Sequence, residues 1–267
     1  MTIRVCLAGA TGWAGSALAR GIARQADMQL VSAVSRSGAG RVLGEMLNEP
    51  SLSCQVYQTA EEALAHPCDV FFEFTKPGVA RTNVMAALQH DANVVIGTSG
   101  LTDDDYAEIE TQAAQRKRSV LAVGNFALTV VLLQKFAEIA ARFLPQWEII
   151  DYAHDDKPDA PSGTVRELVA RLAKIRPSQL TVPLEKTQGV VETRGARLAG
   201  SQVHSLRLPG YTISVEILFG MPDQRLSIRH DSGTSAAPYV DGALLAIRKV
   251  GTFVGLRRGL DSVMELG

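Results

Sequence analysis

Ile3-Arg4-Val5-Cys6-Leu7-Ala8-Gly9-Ala10-Thr11-Gly12-Trp13-Ala14-Gly15 opens the chain with an apolar run that ends in three glycines. The run suits a strand, and Ser16–Ala26 beyond it has helical character. Gly9 is expected to permit the tight turn, Gly12 to let the backbone approach a phosphate group closely, and Gly15 to let the helix pack on the strand. Free N–H groups and the dipole at a helix start favour anions. Gly9, Ala10, Thr11, Gly12, Trp13, Ala14 and Gly15 are therefore a candidate pyrophosphate cradle. Their spacing is GxxGxxG, a variation on GxGxxG.

The same alternation continues for half the chain. Apolar runs at Leu30–Val34, Val70–Phe74, Asn93–Ile96 and Ser119–Val123 are continuous rather than alternating, which suits strands covered on both faces of a parallel sheet. Helical segments at Val79–His90 and Thr102–Arg116 lie between them; the second starts with Thr102 and three aspartates and closes on Arg116-Lys117-Arg118. After Phe126 the pattern changes. A helix at Thr129–Arg142, a strand at Glu148–Tyr152 and a helix at Val165–Ala173 precede three strand candidates, Gln202–Arg207, Tyr211–Phe219 and Leu226–His230. Gly210 and Met221-Pro222-Asp223 are turns between them. Ala237–Val250 is again helical. The expectation is an α/β chain with a Rossmann-type dinucleotide-binding domain over 1–125 and 241–267. An α+β substrate and oligomerisation domain is expected over 126–240, with little helix to cover one apolar sheet face.

Of the 267 residues, 46% are hydrophobic, and 27 Lys+Arg against 28 Asp+Glu leave a net charge of −1. That balance gives no electrostatic case for nucleic acid or an anionic membrane. No apolar run approaches the roughly 20 residues of a membrane span, and Met1-Thr2-Ile3-Arg4 runs straight into a strand, so a soluble cytoplasmic protein is expected. Cys6, Cys54 and Cys68 form no Cys-x-x-Cys pair, which argues against a disulfide framework and a thiolate zinc site. Cys6 reads as a small buried hydrophobe. His66, His90, His204 and His230 read as ordinary surface or structural residues, and no metal site is expected.

An acid at the end of the second strand would favour NAD. This chain has Ser35-Arg36-Ser37 there. Arg36 and the hydroxyls suit a 2′-phosphate, so NADPH is the expected cofactor and NADH the alternative.

The densest chemistry lies in Asp151-Tyr152-Ala153-His154-Asp155-Asp156-Lys157-Pro158-Asp159-Ala160-Pro161-Ser162-Gly163-Thr164. It starts at a strand end and finishes where a helix begins. Thr164 and Glu167 fit a capping box. Ser162, Gly163 and the first helical N–H groups suit a carboxylate, with Lys157 as a cation and His154 as a titratable donor. A substrate loop and a capped surface loop both fit this reading.

Lys157 and Asp159 through Thr164 resemble, without a gap, the signature of the dihydrodipicolinate reductase family, Glu-x-His-His-x-x-Lys-x-Asp-Ala-Pro-Ser-Gly-Thr. The glycine turn, Phe74-Thr75-Lys76-Pro77, Val95-Ile96-Gly97-Thr98-Ser99-Gly100 and Asn125-Phe126 are similar to family segments and occur in the family's order. The resemblance implies NADPH- or NADH-dependent reduction of a cyclic imine-type dicarboxylate in lysine and diaminopimelate biosynthesis. It places Gly9 to Gly15, Ser35, Arg36 and Thr75 on the dinucleotide, and Gly97, Thr98 and Ser99 on its nicotinamide half. Gly124, Asn125 and Phe126 are placed where the chain passes from one domain to the next. Lys157 and His154 become the catalytic pair, with His154, Ser162, Gly163 and Thr164 on substrate. A homotetramer is implied.

The departures from the pattern are specific. Ala153 stands where the family's first histidine stands, and Asp151 where its glutamate stands. Ala127-Leu128-Thr129 replaces Ser-x-Gly, and Ile213-Ser214-Val215 replaces a later Gly-Glu-His. Two alternatives follow: a paralogue reducing a different cyclic imino acid, or a non-catalytic dinucleotide-binding sensor. Intact Lys157 and Ser162-Gly163-Thr164 favour an enzyme.

Overall fold

In the computed structural model, which describes residues 2–265, β1 (Ile3–Ala8) enters the glycine turn and α1 (Trp13–Ala23) leaves it. There follow β2 (Met28–Val34), α2 (Leu43–Leu47), β3 (Val56–Tyr57), α3 (Ala60–Leu64), β4 (Val70–Glu73), α4 (Pro77–Gln89), β5 (Asn93–Ile96), α5 (Asp103–Gln115) and β6 (Ser119–Ala122). The strands pair in parallel in the order β6-β5-β4-β1-β2-β3. This is the doubly wound dinucleotide-binding order, which reverses between β1 and β4. All four residues of β4 and of β6 are buried, as the unbroken apolar runs require of strands covered on both faces. Cys6, Phe71, Val94 and Val120 pack with Leu64, Val84, Leu88 and Ile109 of the helices. Thr102 caps α5 in a reciprocal box with Asp105.

The chain then forms α6 (Leu128–Phe143), β7 (Gln146–Ala153), α7 (Gly163–Ala173), β8 (Ala196–Leu198), β9 (Ser201–Arg207), β10 (Ile213–Met221) and β11 (Gln224–Ser232). These strands make a second sheet, β11-β10-β7-β9-β8. β7 and β9 run parallel, and the other pairs are antiparallel. Leu133 and Ala137 of α6 and Leu168 and Leu172 of α7 pack on Trp147, Ile149, Val215, Ile217 and Phe219. By strand alternation the opposite face carries Glu148, Ile150, Tyr152, Glu216 and Leu218. It is mixed rather than apolar, which corrects the expectation. Glu148 is hydrogen-bonded to His204 at 2.7 Å and to Arg194. The Tyr152 hydroxyl donates to Glu216 at 3.0 Å, and Arg229 lies 4.8 Å over the Tyr152 ring.

α8 (Ala237–Lys249) and β12 (Gly255–Arg258) complete the first layer system, β12 pairing in parallel with β6 as a seventh strand. The compact units are Met1–Leu128 with Ala236–Gly267, and Thr129–Ser235. These bounds differ from 125/126 and 240/241 for packing reasons. The Phe126 ring sits 5.4 Å from those of Phe72 and Phe74. The first turn of α8 brings Tyr239 to 5.7 Å from Trp13 and Val240 against Gly21 of α1. No helix among the described residues is long and apolar enough to cross a membrane.

Candidate functional site

The glycine turn is built as its spacing predicts, with different weights on the three positions. Gly9 has φ +83°, and a Cβ there would lie 2.2 Å from the Phe74 carbonyl oxygen. A Cβ on Gly15 would lie 2.1 Å from the Gly9 carbonyl oxygen, so Gly15 is required by the turn itself. A Cβ on Gly12 would lie 3.2 Å from the Gly9 carbonyl oxygen, a tight contact but less severe than those at Gly9 and Gly15, so the turn itself demands glycine less strictly there. No side chain caps α1 and no acid lies in its first turn. Its leading N–H groups are therefore left to an external acceptor, the arrangement that suits a pyrophosphate.

From the turn, Thr11 Oγ1 lies 2.6 Å from Ser35 Oγ, which lies 3.3 Å from Ser37 Oγ. Ser35 is buried at the end of β2. Arg36 beside it is exposed and makes no hydrogen bond or ion pair among the described residues.

β4 ends on Glu73, a fully buried acid that the sequence reading did not single out. It accepts from the Thr75 N–H at 2.8 Å, from the Thr75 hydroxyl, from Asn83 Nδ2 at 2.8 Å and from Thr98 Oγ1 at 3.0 Å. Gly97 is required here as well, because a Cβ would fall 2.1 Å from the Phe74 ring. Ser99 and Gly124 are exposed, and Asn125 Oδ1 accepts from the Ala127 N–H at 2.9 Å. The residues following β1, β2, β4, β5 and β6 thus lie along one carboxyl edge of the parallel sheet, where open α/β sheets bind ligands. Gly9 to Gly15, Ser35, Arg36, Thr75, Gly97 to Ser99 and Gly124 to Phe126 are all on it.

In the second unit, β7 delivers Asp151 fully buried. Asp151 Oδ2 accepts from the Ser162 N–H at 2.8 Å and from Arg207 Nη2 at 2.8 Å. The same Arg207 nitrogen donates to the Asp159 carbonyl at 2.7 Å. One buried ion pair therefore pins both the middle and the end of the loop. The pairing spans 56 residues, and the only sequence hints were an acid at the loop's head and an arginine closing a strand.

Lys157 lies largely buried and donates to Asp159. The ammonium holds the Asp159 carboxyl below the usual carboxylate range. His154 is more exposed and pairs with Asp156, lowering that carboxyl in the same way. The cap of α7 is Ser162, whose Oγ accepts from the Val165 N–H at 3.4 Å. Thr164 is the second helical residue, which corrects the capping-box reading. Gly163 takes helical geometry, so the helix starts early enough to put Val165, not Glu167, three residues past the cap. No acid lies in the first turn of α7, so the helix start formed by Ser162, Gly163 and Thr164 suits a carboxylate, with Lys157 earlier in the same loop. Ala153, at the end of β7, is fully buried.

The family pattern described as dihydrodipicolinate reductase, N-terminus, matches residues 3–126, and that described as dihydrodipicolinate reductase, C-terminus, matches 129–263. A 4-hydroxy-tetrahydrodipicolinate reductase of Listeria monocytogenes is 33% identical, covering 98% of this chain and 100% of that one. One of Desulfitobacterium hafniense is 35% identical over 98% and 99%. The solved dipicolinate-bound dihydrodipicolinate reductase from Paenisporosarcina sp. TG-14 superposes with a TM-score of 0.88, at 31% identity over 99% of this chain and 100% of that one. Matched in both halves and along its full length, this chain belongs to the dihydrodipicolinate reductase family of NAD(P)H-dependent oxidoreductases.

Proposed function

We propose that this chain reduces 4-hydroxy-tetrahydrodipicolinate to tetrahydrodipicolinate, with NADPH as the preferred hydride donor. The observation that carries the reading is the Lys157–Thr164 segment, complete in its polar groups and anchored on the buried Asp151–Arg207 pair. When bound, NADPH supplies the hydride from nicotinamide C4. The first-turn N–H groups of α1 hold pyrophosphate. Ser35 and Arg36 hold the 2′-phosphate, an assignment supported by the exposed guanidinium and the absence of an acid beside it. Thr75, Gly97, Thr98 and Ser99 line the nicotinamide half, and Gly124, Asn125 and Phe126 close that edge.

Ser162, Gly163 and Thr164 bind a substrate carboxylate at the α7 start, and His154 adds a donor. Lys157 Nζ, oriented by Asp159, stabilises negative charge as it develops and delivers the proton. One hydride and one proton enter, and the hydroxyl leaves as water. The test is NADPH oxidation with freshly generated hydroxytetrahydrodipicolinate, run beside pyrroline- and piperideine-carboxylates.

Ala153 favours a second reading, a paralogue acting on a different cyclic imino acid, because a methyl group has no proton to give. The same assay separates the two. We also propose a cytoplasmic homotetramer, supported by a five-stranded sheet that packs α6 and α7 on one face and carries Ile150 and Leu218 on the other; a monomer mass by light scattering at micromolar concentration contradicts it.

A further inference from the structure

Glu73 closes β4 with its side chain fully out of water. No ion pair reaches it among the described residues. A buried acid is costly unless hydrogen-bonded, and here four donors converge on its two oxygens. Asn83 Nδ2 takes Oε2. The Thr75 N–H, the Thr75 hydroxyl and the Thr98 hydroxyl take Oε1. A hydroxyl has one proton and two lone pairs. Both threonines spend that proton on Glu73, so lone pairs are the only hydrogen-bonding capacity either hydroxyl has left.

Thr75 and Thr98 follow β4 and β5, on the far side of the sheet reversal from β2. A dinucleotide bound across such a reversal lays one mononucleotide half over each side, and the cradle after β1 fixes the pyrophosphate between them.

We propose that Glu73 is a positioning residue that fixes the Thr75 and Thr98 hydroxyls as acceptors, so that this edge selects a ring substituent bearing N–H donors. The primary carboxamide of nicotinamide is such a group, and a methyl ketone in its place is not. The inference rests on the reading of this unit as a nicotinamide-dinucleotide site. Replacing Glu73 by an apolar residue frees both hydroxyl protons, and the threonines then serve as donors or acceptors alike. Glutamine still turns an oxygen toward the threonines, with the Asn83 amide reversing to meet its nitrogen, so it preserves the selection.

The experiment is calorimetric binding of NADP, its 3-acetylpyridine analogue and 2′-phospho-ADP-ribose, which lacks the pyridine ring. Wild type is expected to bind NADP about three- to tenfold more tightly than the analogue, the scale of a lost neutral hydrogen bond. Glu73→Leu is expected to bring that ratio near one with the fragment's affinity unchanged, and Glu73→Gln to restore it. Equal affinities in wild type overturn the proposal. So does a Glu73→Leu protein that binds the fragment normally and keeps the wild-type ratio, since a merely structural acid weakens both ligands together. If Glu73→Leu does not bind the fragment, Thr75→Val is read instead; a lowered ratio supports the proposal and an unchanged one overturns it. Wild type that binds none of the three ligands removes the dinucleotide reading itself, and the proposal with it.

Discussion

Arg207 and Asp151 form a buried ion pair at 2.8 Å that also reaches the backbone of the substrate loop, through the Asp159 carbonyl and the Ser162 N–H. Removing one partner of a buried pair leaves the other charge uncompensated, at a typical cost of 3–5 kcal/mol. Arg207→Met is expected to destabilise by about 3 kcal/mol, the lower end, because the arginine is partly reached by solvent. Urea unfolding measures this. Unchanged stability contradicts the pinning role given to the pair.

Lys157→Ala is expected to leave folding and dinucleotide binding intact and to lower turnover by about a hundredfold or more, the scale of a positioned proton donor or charge stabiliser. Lys157 pairs with Asp159 and belongs to neither apolar core, so the fold does not rest on it. Steady-state kinetics with equal cofactor affinity in both proteins check it; unchanged turnover returns the lysine to an ordinary loop charge.

Arg36→Ala tests the cofactor preference. Wild type is expected to favour NADPH over NADH by several-fold to about a hundredfold, the range of one charge-assisted contact. The variant is expected to lose most of that ratio without losing NADH binding. Equal affinities in wild type contradict the preference.

Burial pushes the His230 imidazole below its ordinary 6.5, and its Nδ1 lies 3.0 Å from Thr129 Oγ1. A histidine with a depressed folded pKa binds its proton more weakly folded than unfolded, so acid favours the unfolded chain. This contribution to stability is lost as pH falls from the ordinary value through the depressed one. Thermal unfolding of wild type and His230→Asn between pH 7 and 5 is expected to show a steeper acid loss in wild type. Parallel curves contradict this.

The parts of this molecule that follow from short-range pattern were legible in the sequence. Gly9 to Gly15 sit between a strand and a helix, Thr102 and Asp105 sit at capping distance, and Lys157 to Thr164 are contiguous. The parts that depend on distant partners were not. β3 has two residues and β12 has four, too few to show a period, and both are held by edge pairing. Glu73 reads as any acid until folding surrounds it with Thr75, Asn83 and Thr98. Ser162 rather than Thr164 caps α7 because Gly163 accepts helical geometry, a choice that two hydroxyl residues with one residue between them leave open. The apolar sheet face expected from strand count is interrupted by Glu148, Tyr152 and Glu216, which alternate with the core-facing positions of β7 and β10.

The most direct measurement is the initial rate of NADPH oxidation with freshly generated hydroxytetrahydrodipicolinate. Ala153 removes one donor that the family pattern supplies, and losing a general acid typically costs about a hundredfold or more. The predicted result is saturable, Lys157-dependent oxidation that is slow in absolute terms yet faster than with pyrroline- or piperideine-carboxylates. No oxidation above background with this substrate, alongside rapid oxidation with a simpler cyclic imine, would contradict the account.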